Sequence, residues 1–230
     1  SVTDANGGKL KHTINKTMMR VDLPKPLAPG ATFVFKVQWW NWINDRFKWG
    51  GRAGYEYFPE EDNYLFTIAH FYPRMAAYMD YSGWMHKQFL GQGEFTLDFG
   101  DYTLSITAPS DHVVAATGEW ANASAVLTSA QQKRLAQART SDKPVMIVTP
   151  QEALDNEKEP GSGTKTWVYK SKNVRDVAFA SSRKFIWDAM NQPVKTNNVL
   201  CMSYYPKEGN PLWEQYSTKV VAHTIKTYSK

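Results

Sequence analysis

Five histidines, His12, His70, His86, His112 and His223, are the first residues to test for chemistry in this 230-residue sequence. None belongs to an HExxH pair, the spacing that puts two imidazoles on one helix face for zinc. His223 falls in a helical stretch but has no histidine four residues away. There is no P-loop, no GxGxxG turn after a strand and no GxSxG nucleophile elbow. Gly91-Gln92-Gly93 and Gly161-Ser162-Gly163 read as turns rather than phosphate cradles. The adjacent carboxylates Glu60 and Glu61 lie in a turn and read as solvated. A single cysteine, Cys201, excludes an intrachain disulfide. It sits in an apolar run and reads as a small buried hydrophobe. One cysteine is compatible with the cytosol and also with a bacterial envelope or periplasmic protein that does without disulfides, the latter being the expected compartment.

One stretch departs from this pattern: Ala69-His70-Phe71-Tyr72-Pro73-Arg74-Met75. A strand over 64–71 should end here, leaving His70, Tyr72 and Arg74 near the rim of a sheet. A rim with a cation and an imidazole can hold a peptide or a carboxylate. Alternatively, Arg74 pairs with an internal acid such as Asp80 or Asp101 and fixes the loop.

The elements that must position these residues are mostly strands. With 42% hydrophobic residues the chain can bury a substantial core, which excludes intrinsic disorder. Its length admits one large β domain or two small ones. Nine Trp, twelve Tyr and eleven Phe lean toward sheet, and most of these rings read as core filling. The net charge of +5 is spread without a basic run, and no nucleic-acid-binding motif is present. No stretch approaches the roughly twenty apolar residues of a membrane helix.

Period-two alternation predicts strands at 17–23, 31–42, 55–58 and 64–71. The 31–42 strand is the clearest, with Phe33, Phe35, Val37 and Trp39 on one face. Residues 72–93 follow neither a strand nor a helix period. A hairpin around Gly100-Asp101 should join strands 94–99 and 102–108, with Tyr102, Leu104 and Ile106 on one face. The strand pattern continues over 112–119, 145–148, 165–170, 173–181 and 199–205. Thr128 is placed to cap a helix over 129–139, a short acidic helix should cover 151–158, and a longer one 212–228. In the last, Trp213, Tyr216, Val220, Ile225 and Tyr228 lie near one stripe. The expected fold is mainly β, an antiparallel sandwich or sheet domain with a few helices including one at the C-terminus. The expected division is a β domain over 1–211 and a helix over 212–230 that leads into a further domain.

Four stretches carry a family resemblance. They are YPRMAAY with Asp80 and Gly83-Trp84 after it, GEFTLDFGDYTLSITAPSDHVVAATGE at 93–119, VRDVAFASSRKF at 174–185, and LWEQYSTKVVAHTIKTYSK at 212–230. Together they resemble the N-terminal domain of aminopeptidase N-type zinc metallopeptidases, the gluzincin aminopeptidases, in a Bacteroidetes-like branch. The resemblance implies a saddle-shaped β domain that packs on a catalytic domain and closes one side of its substrate cleft. The implied activity is peptide hydrolysis from the free N-terminus. The implied zinc, its HExxH helix and the catalytic residues lie beyond residue 230, so no catalytic or metal residue is expected in this chain. The implied partners are that catalytic domain and a peptide substrate. Where the family places a Gln or Glu for the substrate amine, the nearest polar residue here is His70. A neutral imidazole accepts from an ammonium, whereas an imidazolium repels it. His70, Tyr72 and Arg74 are the substrate-binding candidates. The competing reading is a non-enzymatic β-sandwich that binds carbohydrate or protein through Trp39, Trp40, Trp42, Trp49, Tyr55 and Tyr57. Exposure of those rings discriminates between the two.

Overall fold

The computed structural model describes residues 1–93 and 96–229. It is mainly β, with antiparallel sheets, few helices and one long C-terminal helix. In chain order the strands begin with β1 (Val2–Asp4), β2 (His12–Asn15), β3 (Met18–Val21) and β4 (Phe35–Val37). A helical turn α1 (Arg46–Trp49) precedes β5 (Gly54–Phe58), β6 (Asn63–Ile68), β7 (Tyr78–Met79) and β8 (Gly83–Trp84). Next come β9 (Gly100–Pro109), β10 (Val113–Ala116), β11 (Glu119–Trp120), α2 (Ala123–Val126) and α3 (Ser129–Ala138). The remainder is β12 (Val145–Val148), α4 (Pro150–Lys158), β13 (Thr164–Val174), β14 (Phe179–Ser182), β15 (Ile186–Val194), β16 (Asn197–Tyr205) and α5 (Leu212–Tyr228). Two compact units divide these elements: Ser1–Trp42 with Phe71–Gly100, and Ile43–His70 with Asp101–Lys230.

The first unit holds three two-stranded ladders, β1–β4, β2–β3 and β7–β8. Gln88 ties its β2–β3 turn, accepting from the Thr17 N–H (2.9 Å) and hydroxyl (2.7 Å) and donating to the Asn15 carbonyl (2.8 Å). The strand expected over 31–42 shrinks to three residues. A strand extends only as far as its ladder partner, and β1 supplies three residues. Phe33, Phe35 and Val37 are half-buried in alternation as expected, but Trp39 is exposed. Of the strand expected over 94–99, Glu94 and Phe95 lie outside the described residues, and 96–99 are irregular. Gly100 and Asp101 open β9 and do not turn a hairpin.

The second unit contains three sheets, ordered β10-β14-β6-β5, β11-β13-β9 and β12-β15-β16. Their inner faces share one core around the fully buried Trp187, Tyr169, Tyr205, Ile147 and Ile186. Its larger rings carry polar tips that need partners when buried. Tyr169 donates its hydroxyl to the Val114 carbonyl (2.6 Å) and accepts from the Trp120 indole (2.8 Å). That joins β13 to β10 and β11. On the expected face of β9, Ile106 and Ala108 enter this core. Helix α3 starts where Thr128 predicts, with a full Thr128/Gln131 capping box, and α4 has a second box from Thr149 and Glu152.

The central strand β15 has no counterpart among the expected elements. Its sequence, IWDAMNQPV, contains an acid and a proline. Asp188 is fully buried and accepts from the Tyr205 hydroxyl at 2.6 Å. Pro193 lies beyond the part of β15 that pairs with β12, so the missing N–H removes no bond on that side. Strand 173–181 is also corrected. Only Phe179–Ser182 is a strand, and 173–174 close β13. Helix α5 keeps its expected bounds, and of the expected stripe Ile225 packs on the sheet while most of the rest stays exposed. Thr218 and Ala222 are buried, and Ala222 and Ile225 meet Met190, Cys201 and Val199 of β15 and β16. Trp213, Tyr216, Val220 and Tyr228 are exposed. Burial pushes the Cys201 thiol up in pKa, as suits a buried hydrophobe.

Glu61 is not a solvated turn acid. Lys184, in the turn between β14 and β15, has a fully buried side chain. Its Nζ lies 3.2 Å from Glu61, 3.2 Å from Glu157 and 3.0 Å from Glu208. It also lies 4.5 Å from the centre of the Phe58 ring. Lys207 donates to Glu61 and to Glu157, the latter at 2.6 Å. The hydrogen bond from Lys207 holds the Glu61 carboxyl below the usual carboxylate range. Burial opposes the charge on Lys207, but its bonds to Glu157 and Glu61 outweigh that and raise its pKa. The five charges fasten the β5–β6 turn, α4, the β14–β15 turn and the 3-10 turn Lys207–Gly209 that leads to α5. Removing one partner of a buried ion cluster strands the others without water. Lys184→Met should therefore lower unfolding stability by about 3–5 kcal/mol. Glu208→Gln, at a partly exposed member, should cost under about 1 kcal/mol. Urea unfolding of both variants checks the order, and equal losses would contradict it.

Candidate functional site

His70 stands two residues beyond the end of β6, exposed, with a left-handed backbone (φ 53°). Such a φ is uncommon for a residue with a Cβ, though histidine adopts it more readily than most. Its Nε2 lies 3.8 Å from an Asp176 carboxylate oxygen, within the second unit. Tyr72 and Arg74 are half-buried and belong to the first unit. The unit boundary thus runs between His70 and Phe71, through the middle of the expected triad. Within the first unit, the Tyr72 ring meets Phe71 edge-on at 5.1 Å, and the Trp39 indole donates to the Phe71 carbonyl at 2.8 Å. Of the two acids considered for Arg74, Asp80 is exposed and Asp101 accepts the Asn173 N–H at 2.9 Å.

The six rings of the competing reading are mostly at the surface. Trp40 and Trp42 are 78% and 82% exposed and meet edge-to-face at 5.7 Å in the first unit. In the second, Trp49 is 71% exposed at the end of α1, where Lys48 Nζ sits 5.6 Å from its ring centre. Asp45 caps that turn by accepting from the Phe47 and Lys48 N–H groups. Tyr57 is exposed and donates to Asp62 at 3.0 Å, which raises its phenol pKa, while Tyr55 is half-buried.

A feature of a different kind lies wholly in the second unit. The faces of β6 and β14 and the end of β9 enclose an open groove of about 470 Å³. Phe66, Ile68, Ile106 and Phe179 form apolar walls, and His112, Ser181 and Arg183 supply polar groups. His112 Nδ1 and the Ser181 hydroxyl share a hydrogen bond of 2.8 Å, and the imidazole lies 6.3 Å from the Phe66 ring centre. Burial lowers the His112 pKa, with Asp111 opposing and Arg183 adding to the effect. This is not a nucleophile relay. In a relay the acid bonds the imidazole, whereas Asp111 accepts from the Gly161 N–H (2.7 Å) and pairs with Arg183 (3.4 Å). Asn63 is 1% exposed, and neither atom of its amide has a hydrogen-bond partner among the described residues. Only the β10–β14 ladder brings His112 and Ser181 to one groove.

Among the described residues no three His, Cys, Asp or Glu side chains converge as a ligand set. His12 and His86 bond nearby carbonyls through Nδ1, at 3.0 Å and 2.6 Å. Among the described residues no helix is long and apolar enough to cross a membrane. Compared with known proteins, the chain matches no family model, no curated protein and no solved structure.

His112 makes a pH prediction. Its folded pKa is lowered, so the unfolded chain takes up the proton first as pH falls below the ordinary value of about 6.5. Stability from this group is complete above that value and declines below it. The melting temperature of the unaltered chain should fall more steeply from pH 7.5 to 5 than that of His112→Gln. Parallel slopes would show that His112 is not the source.

Proposed function

We propose that this chain is the N-terminal, non-catalytic β domain of a zinc-dependent aminopeptidase, a part that caps the substrate cleft. The observation that carries the reading is the exposed face of α5. The second unit completes its own core, yet leaves Leu212, Trp213, Tyr216, Val220 and Tyr228 exposed on its last helix. Apolar faces of this kind mark contacts with other protein. The four resembling stretches, including α5 itself, say which protein: a catalytic domain formed by residues outside this chain. A zinc ion held by that domain would supply Lewis-acid polarisation of the scissile carbonyl and an activated water. Peptide is the substrate. His70 is the candidate for its amine, and Tyr72 and Arg74 are further candidates for its backbone and loop. Two results test this. The encoding gene read past Lys230 should contain HExxH with a glutamate about twenty residues further on; its absence there ends the proposal. In the full-length protein, His70→Gln should change KM several-fold at constant melting temperature. Unchanged kinetics with a lowered melting temperature would make His70 structural.

A second reading, a carbohydrate-binding β protein, is favoured by the exposure of Trp40, Trp42 and Trp49. Aromatic faces stack on sugar rings, and their tryptophan fluorescence reports it. Oligosaccharides that quench this fluorescence in the unaltered chain but not in Trp40→Ala would support it. A flat titration would remove it.

A further inference from the structure

We propose that the groove of the second unit binds a medium-chain aliphatic monocarboxylate, with its carboxylate on Arg183 and its alkyl chain along Phe66, Ile68 and Phe179. The proposal is independent of the aminopeptidase reading. Every residue that lines the groove belongs to the one unit, and its volume of about 470 Å³ falls in the range of small-ligand sites. Strand register orders the lining from apolar to charged. Phe179 pairs with Ile68 and Ser181 with Phe66, and Arg183 follows two residues on, just past the end of β14. Alternate residues of a strand share a face. Val113 pairs with Ser182, which sets His112 beside Arg183. One end of the groove is therefore built from Phe179 and Ile68, and the other from Arg183 and His112. From Tyr64 to Ile68 the strand rises about 13 Å, a length that an extended alkyl chain of medium size spans.

Arg183 supplies the complementary charge. Its side chain is 17% exposed, and its ion pair with Asp111 runs from Nε at 3.4 Å. The side-chain polar atoms that are both sealed from solvent and unpartnered include Asp111 Oδ1 but no atom of Arg183. Its two Nη groups bond no described residue, so they are open, and Arg183 lines this groove. The edge formed by Nη1 and Nη2 matches the two oxygens of one carboxylate. Asp111 takes only the Nε edge, and the same carboxylate oxygen also accepts the Gly161 N–H at 2.7 Å. Asp62, a further charged residue of the lining, accepts from the Tyr57 hydroxyl at 3.0 Å. Its negative charge disfavours a ligand with a second carboxylate or a doubly charged phosphate. A ligand ammonium would meet Arg183 as a like charge.

The test uses the whole chain, residues 1–230, with decanoate and decanamide as probes that share a tail and differ in the charge of the head. Calorimetric titration at neutral pH should show saturable binding of decanoate, about tenfold weaker binding of decanamide and no binding of acetate. Backbone 15N shifts on adding decanoate should fall at Phe66, Ile68 and Phe179. Arg183→Gln should weaken decanoate about tenfold and leave decanamide unchanged, so that the two bind alike. Failure to saturate at millimolar decanoate overturns the proposal, as does equal binding of decanoate and decanamide by the unaltered chain. Shifts confined to α5 and the exposed tryptophans would show adsorption elsewhere and overturn it too. Tighter binding of acetyl-leucyl-valine than of decanoate would make the occupant a peptide C-terminus and not an alkyl chain, which also overturns it. The comparison of decanoate with decanamide needs no variant, so it decides even if Arg183→Gln fails to fold.

Discussion

A buried ammonium ion constrains the second unit more than any other single group. Lys184 has no water to solvate it, so carboxylates must come to it. Three do: Glu61 from the β5–β6 turn, Glu157 from α4 and Glu208 from the 3-10 turn before α5. Lys207 offsets part of the surplus negative charge through Glu61 and Glu157. Each of these segments is remote from the others in sequence. Their meeting at one point fixes where the β5–β6 hairpin, α4 and the start of α5 lie against the β14–β15 turn. An ionic cluster of this kind adds little net stability over apolar packing, but it does not tolerate loss of a member. Its contribution is to choose one arrangement of segments over others.

Around that pin the core follows ordinary packing logic. Trp187 lies flat on Tyr204 at 5.0 Å, with Trp120 beside it at 5.6 Å. The polar tips of Tyr169, Tyr205 and Trp120 are all spent on partners inside the unit. What the unit does not use is correspondingly informative. On α5, Leu212, Tyr216, Val220 and Tyr228 remain largely exposed, although Trp213 meets the Tyr205 ring edge-on at 6.2 Å.

The expected substrate triad illustrates what a linear motif conceals. His70, Tyr72 and Arg74 are spaced as a cluster in sequence, yet the boundary between the compact units falls between the first and the other two. His70 is set by the end of β6 and by Asp176, 106 positions away by subtraction of the residue numbers. The aromatic-rich strand 31–42 shows the complementary error. Its alternation is real in the burial of Phe33, Phe35 and Val37, but Trp39, Trp40 and Trp42 run past the ladder into solvent.

Features with a local cause were legible in the sequence. Alternation located β5, β6 and β9, capping chemistry located the start of α3, and the length of the apolar pattern located α5. The mainly β class followed from these. Features decided by distant partners were not legible. Strand β15 was hidden because Asp188 and Pro193 look wrong for a central strand until the Tyr205 hydroxyl and the short reach of β12 are seen. The orientation of α5 was hidden because the sheet beneath it selects the narrow Thr218–Ala222–Ile225 stripe over the bulkier aromatic one. The groove was hidden because His112 and Ser181 are 69 positions apart and meet only through the β10–β14 ladder. Short-range hydrogen bonding and periodicity are written along the chain. Burial of a charge, an amide or one helix face is a property of what folds against it.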